Sequence, residues 1–222
     1  MGKYKGWEEK VQLVIENLSK KFEEKSVLED LNAKFDQGII YALLGRNGAG
    51  KTTLFSLIAK ELKKDKGEVY LLENGEKINL ASKDVFFMLA EPELPRFLTA
   101  REFIKFFIDV NKDRIKDLKD PSYYFDLVRF EEEDKDRLIQ GYSTGMRNKV
   151  QMMMFLILKP RVILMDEPLN SLDVVVQKEM KDLIKSIKHD HIIIFSTHIL
   201  DLAKDISDEI VLLHKGQIEE VD

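Results

Sequence analysis

A chain of 222 residues has room for one large domain, or for one domain that carries an inserted lobe. Its 44% hydrophobic and 34% charged residues exclude a disordered chain, and a net charge of -5 leaves no overall basic field to hold nucleic acid. Cysteine is absent, which excludes disulfides and thiolate metal sites and fits a reducing compartment.

The opening segment, Met1–Trp7, has no apolar stretch of the signal-peptide kind, and Gly6 stands where a myristoylation pattern wants Ser or Thr. No apolar run reaches the roughly 18 residues that span a bilayer. The expectation is therefore no direct membrane insertion and no lipid anchor. Val11–Ile15 and Val27–Phe35 alternate as half-buried strands do, and Ile39–Leu44 is continuously apolar, the mark of a strand covered on both faces. Lys51–Leu62 has helical spacing, with Leu54, Leu57, Ile58 and Leu62 on one face. Glu68–Leu72, a turn at Glu73–Gly75 and Val85–Ala90 return to strand.

From Thr99 to about Gln140 the pattern turns helical and charge-rich, with blocks at Lys112–Asp120 and Glu131–Arg137. The aromatics there (Phe97, Phe103, Phe106, Phe107, Tyr123, Tyr124, Phe125 and Phe130) read mostly as the core of a lobe. A helix Gly145–Leu158 follows, then strand Val162–Met165, helix Val174–Ile187 and strand His191–Phe195. Glu209–Leu213, a turn at Lys215–Gly216 and a last strand close the chain. Alternation of apolar strands with helices predicts an α/β fold with a mostly parallel central sheet. The expected organisation is one domain over 1–222, with 1–98 and 142–222 as its core and 99–141 as an inserted helical lobe.

Gly45-Arg46-Asn47-Gly48-Ala49-Gly50-Lys51-Thr52 fits the phosphate-binding pattern G-x-x-x-x-G-K-[ST] and continues into Thr53. It lies between a buried strand and a helix, where the pattern has a physical use. Glycines let backbone N–H groups converge on phosphate oxygens, and the helix N-terminus favours negative charge. Lys51 would reach the β- and γ-phosphates and Thr52 would offer its hydroxyl to Mg²⁺. Downstream, four apolar residues, Val162–Met165, end in Asp166 and Glu167. Ligands gather at the carboxyl ends of parallel strands. Asp166 would face the metal, and Glu167 could polarise an attacking water as general base.

With these residues in place, the chain resembles the ATP-binding subunit of ABC transporters over nearly its whole length. Tyr142-Ser143-Thr144-Gly145-Met146 resembles the family signature, Ser171-Leu172-Asp173 its D-loop, and Phe195-Ser196-Thr197-His198 the segment of its switch histidine. Phe22 stands where the family places an aromatic that stacks on adenine. Two departures are visible: Glu91 occupies the place of a glutamine, and Thr144 that of the first signature glycine. Both look like the small bacterial ABC-2-type exporter branch.

The resemblance implies a P-loop NTPase fold with an N-terminal antiparallel β subdomain, ATP and Mg²⁺ as cofactors, and ATP hydrolysis that drives transport, with export as the direction. ATP would sit between two subunits, identical or paralogous, one giving the Gly45–Thr53 loop and the other Ser143 and Gly145. His198 would contact the γ-phosphate, Asp173 would organise the seam, and Glu91 would join Thr52 and Asp166 at the metal. The implied partners are this second ATP-binding subunit and an integral membrane permease, which would hold the protein on the inner face of the cell membrane from the cytoplasm. The competing reading is a soluble ABC-type ATPase acting on ribosomes or DNA. The single ATP site, the absence of Cys and the negative charge weigh against it. Of the other histidines, His189, His191 and His214 read as surface or structural residues.

Overall fold

The computed structural model describes residues 11–170 and 172–220, so Met1–Trp7 and Ser171 lie outside the described residues. Strands β1 (Val11–Phe22), β2 (Lys25–Asp36) and β3 (Ile40–Leu44) lead into helix α1 (Lys51–Ile58). Strands β4 (Lys66–Glu73), β5 (Glu76–Asn79) and β6 (Val85–Met88) follow, then helices α2 (Ala100–Asn111), α3 (Pro121–Leu127) and α4 (Glu132–Lys135). The chain continues through α5 (Thr144–Leu158), β7 (Val162–Met165), α6 (Val174–Ile187) and β8 (Ile192–Thr197). It ends with α7 (Leu200–Ile206), β9 (Glu209–His214) and β10 (Gln217–Glu220).

The central sheet runs β10-β9-β3-β8-β7-β6, parallel throughout except for the edge strand β10. Strands β3, β6 and β7 are apolar at every position, and β8 up to Phe195, because each face meets a different core. Ile40, Ala42, Ile163, Met165, Ile193 and Phe195 enter the core beneath α5, α6 and the α2–α4 lobe. The alternate residues Tyr41, Leu43, Val162, Leu164, Ile192 and Ile194 enter a second core, shared with α1 and the other sheet. Strand pleating sends neighbours to opposite faces, so continuous hydrophobicity is what two covered faces require.

The second sheet is antiparallel, in the order β2-β1-β4-β5. Strand β5 was not anticipated. It follows a two-residue hairpin in which Asn74 and Gly75 have φ of 53° and 87°, the positive values a type I′ turn demands. The helical segment between β6 and α5 is closed at its base by a Thr99–Leu138 bridge and by Ile139 N–H donating to Leu98 O at 2.9 Å. Helix α2 starts on a reciprocal cap, in which the Thr99 side chain accepts from Glu102 N–H and Glu102 accepts from Thr99 N–H. Phe103, Tyr124, Phe125 and Phe130 are buried there as core and Phe107 packs against it, as expected of most of these aromatics, while Phe97, Phe106 and Tyr123 are exposed.

Two helix limits also differ from the sequence reading. The apolar pattern of α1 runs on to Leu62, yet the helix stops at Ile58. Lys60 takes a left-handed φ of 62°, and the N–H groups of Glu61 and Leu62 fold back on Ser56 O. Helix α7 was not foreseen, because seven residues are too few to show a period. Among the described residues, no helix is long and apolar enough to cross a membrane.

Candidate functional site

Three adjacent strands, β3, β8 and β7, end side by side, and their C-terminal ends carry the site. The Gly45–Gly50 loop leaves β3 and is tied to β8 by Gly45 N–H donating to Thr197 O at 3.2 Å. Gly50 caps α1 with φ of 105°, and a Cβ on it would lie 2.9 Å from Val27 Cγ1, so backbone and neighbour both demand glycine. Lys51, the first residue of α1, is 6% exposed. Its ammonium donates to Gly45 O at 2.7 Å and to Arg46 O at 3.4 Å. Thr52 Oγ1 donates to Asp166 Oδ2 at 2.6 Å, which joins the loop to the end of β7.

The other oxygen of Asp166 is held by Ser196. Its hydroxyl donates to Asp166 Oδ1 at 2.5 Å and accepts from Glu167 N–H at 3.0 Å. Ser196 is wholly buried in β8. It therefore fixes both acidic residues from the neighbouring strand. Sequence reasoning quoted it inside Phe195–His198 and gave it no role. The available signal was a hydroxyl at the end of a strand otherwise apolar on both faces.

Glu167 is the crossing point of the site. Its backbone takes a left-handed φ of 47°, uncommon for a residue with a Cβ and a mark of strain held by its surroundings. The carboxylate meets three partners. Lys51 Nζ is 3.4 Å from Oε1, His198 Nδ1 is 3.1 Å from Oε1 and 3.2 Å from Oε2, and Asn170 Nδ2 donates to Oε2 at 2.7 Å. Asn170 is another residue that sequence reasoning missed.

A cleft of about 400 Å³ opens over these groups, lined by Phe22, Gly48, Lys51, Thr52, Asp166 and Glu167 among others. Phe22, at the end of β1, is 45% exposed on its wall, and Lys20 Nζ lies 5.3 Å from the ring centroid. Asn47, Gly50 and Thr53 line the same cleft. Arg46 is exposed at the head of the loop, and its carbonyl accepts from Ala49 N–H at 3.1 Å. Glu91 is not among these lining groups. It follows β6 and lines a larger, separate cleft of about 610 Å³ with Pro92, Leu94, Arg96 and Arg147. The structure thus does not bring Glu91 to the Thr52–Asp166 pair.

Ser143 and Asp173 lie together on another part of the surface, with Gly145 buried nearby. Ser143 and Asp173 line one shallow pocket with Met146 and Val176. Ser143 caps α5 by accepting from Met146 N–H at 3.3 Å. Asp173 caps α6 by accepting from Val175 and Val176 N–H, both at 3.0 Å. Gly145 is buried, and a Cβ there would lie 3.3 Å from Val176 Cγ1, so its small size also serves the α5–α6 contact.

The groups in the cleft suit a nucleotide triphosphate with Mg²⁺. Thr52 and Asp166 offer hard oxygen donors, and a buried ammonium stands beside them. Mg²⁺ commonly takes one or two protein ligands with waters and substrate phosphates. No cluster of three or more His, Cys, Asp or Glu stands in place of that arrangement among the described residues.

Comparison with known proteins agrees with this geometry. The family profile described as ABC transporter matches residues 28–170. The chain is similar to the sulfate/thiosulfate import ATP-binding protein CysA of Synechocystis, with 30% identity over 95% of this chain and 60% of that protein. It is also similar to an uncharacterized ABC transporter ATP-binding protein, YdbJ, of Bacillus subtilis, with 30% identity over 93% of this chain and 68% of the relative. A solved ATP-binding subunit of an ABC transporter superposes with a TM-score of 0.78 at 25% identity, covering 95% of this chain and 90% of that one. The chain spans about 60% of the length of the CysA relative.

Proposed function

The chain belongs to the ABC transporter family, and we propose that it is the ATP-hydrolysing motor subunit of a transporter whose membrane-spanning part is a separate chain. One observation carries this reading. A single cleft gathers a buried ammonium, a hydroxyl–carboxylate pair and a second carboxylate from two separate strand ends. In it, Lys51 and the N–H groups of Gly48–Thr53 hold the phosphates, Phe22 supports the adenine, and Thr52 with Asp166 holds Mg²⁺. Bound Mg²⁺ supplies charge neutralisation on the phosphate oxygens. Glu167 accepts the proton of the attacking water, and His198, now 3.1 Å from that carboxylate, turns to the γ-phosphate.

A second subunit completes the site by bringing Ser143 and the start of α5 to the exposed side of the phosphates, where a helix N-terminus favours an anion. Asp173 lies beside Ser143, on the surface that such a partner covers. The permease docks on the 99–141 lobe and the Glu91 cleft, and so keeps this subunit on the inner face of the membrane. Glu91 then serves that contact rather than the metal, since it lines a different cleft from Thr52 and Asp166.

We read the direction as export, from Glu91 and the Tyr142–Met146 sequence. CysA, similar to this chain, is by name an import protein for sulfate/thiosulfate, and this favours import as the second reading. Flux measured in vesicles that hold the subunit with its permease separates the two. The motor reading itself is tested by equilibrium binding of ATP with Mg²⁺. Lys51→Ala is expected to weaken binding at least a hundredfold, and unchanged affinity would overturn the phosphate-cradle assignment.

A further inference from the structure

We propose that Asn170 is a positioning residue for catalysis, which sets the carboxylate of Glu167 through the 2.7 Å hydrogen bond from its side-chain amide to Oε2. This inference rests on the reading of Glu167 as the general base.

Glu167 has three partners here, and two of them have other work once nucleotide binds. Lys51, 3.4 Å from Oε1, lines the phosphate cleft, and so does Glu167 itself. The His198 side chain is 42% exposed, with Glu167 as its hydrogen-bond partner. Asn170 is not among the residues that line the cleft, and its amide is given to the Glu167 carboxylate. When Lys51 and His198 move to phosphate oxygens, Asn170 is the partner left to hold the carboxylate. A flexible glutamate needs such a partner, because a misplaced base loses the gain from orientation.

The backbone that presents Asn170 is fixed at several points. Glu167–Asn170 is a turn in which Asn170 N–H donates to Glu167 O at 3.2 Å, with Pro168 second, where its fixed φ suits a turn. The buried Asn148 of α5 donates its amide to Pro168 O at 3.0 Å and so anchors the turn to a helix. Glu167 N–H is held in turn by Ser196. The left-handed φ of Glu167 directs the chain so that residue 170 returns under the side chain of residue 167. The strain at Glu167 then has a use: it lets the base and its positioning group come from one tight loop.

The test is a double-mutant cycle in ATPase activity, with ATP affinity measured alongside to report the folded site. Asn170→Ala is expected to lower kcat about 10- to 100-fold, the value of one hydrogen bond to a charged group, with KM for ATP within about twofold. In the Glu167→Gln background, followed by single turnover, Asn170→Ala should cost nothing further, because the two side chains act as a unit. Asn170→Ser, which keeps a short donor, should recover part of kcat. Full kcat in Asn170→Ala would overturn the proposal. So would an equal loss in both backgrounds, or a loss confined to KM, since a merely structural role gives those results. Normal turnover in Glu167→Gln alone would instead remove Glu167 as base, and is thereby distinguished from failure of the Asn170 assignment.

Discussion

Replacing Ser196 by Ala takes one oxygen from the middle of the molecule, and the structure sets what that oxygen is worth. The hydroxyl makes a 2.5 Å hydrogen bond to the Asp166 carboxylate and accepts the Glu167 N–H at 3.0 Å, with no exposure to water. A hydrogen bond to a charged group is worth about 1.5–3 kcal/mol, and a buried donor left unpaired costs about 1–3 kcal/mol. The two losses share one atom and do not simply add, so about 3 kcal/mol is expected. For a chain of this size that is a fall of about 6–12 °C in Tm. Urea and thermal melts of the nucleotide-free protein measure it. The same variant should need more Mg²⁺ to bind ATP, because Asp166 is no longer held from both sides. A stability loss under about 1 kcal/mol with unchanged Mg²⁺ dependence would refute the claim that Ser196 fixes the acidic pair.

Asp173→Ala should cost about 1 kcal/mol through loss of the α6 cap, whereas Asp173→Asn keeps the cap; if it also leaves ATP-driven pairing intact, Asp173 has no part at the seam. Burial holds His191 below the ordinary imidazole range, while its Nδ1 lies against Pro160 O. The unfolded chain takes up this proton below about pH 6.5 and the folded chain only at lower pH, so folding weakens as pH falls below that value. Urea melts between about pH 7.5 and 5.5 should show a steeper loss in the native protein than in His191→Asn, and parallel curves would contradict this.

Legibility of the sequence followed the range of each interaction. The Gly45–Thr52 loop is local, so its residues and their spacing declare it. The double-faced burial of β3, β7 and β8 is written directly in their apolar runs. Ser196 and Asn170 were silent because their roles depend on pairing and turn geometry. Met165 lies beside Phe195 in the β7–β8 register, so Asp166 faces Ser196, a relation thirty residues apart that no local pattern carries. Asn170 meets Glu167 through the turn that residues 167–170 make, in which residue 167 takes φ of 47°. Glu91 was singled out by its likeness to a family position, and the chain after β6 places it on the wall of a different cleft from Thr52 and Asp166. The false extension of α1 to Leu62 arose because Leu62 packs on the same core as the helix without being helical.

Sedimentation of purified Glu167→Gln, with and without ATP and Mg²⁺, tests the central claim most directly. A shared ATP site predicts a monomer without nucleotide and a stable dimer with it, which ADP does not support. A protein that neither binds ATP nor changes its association state when ATP and Mg²⁺ are added would contradict the account.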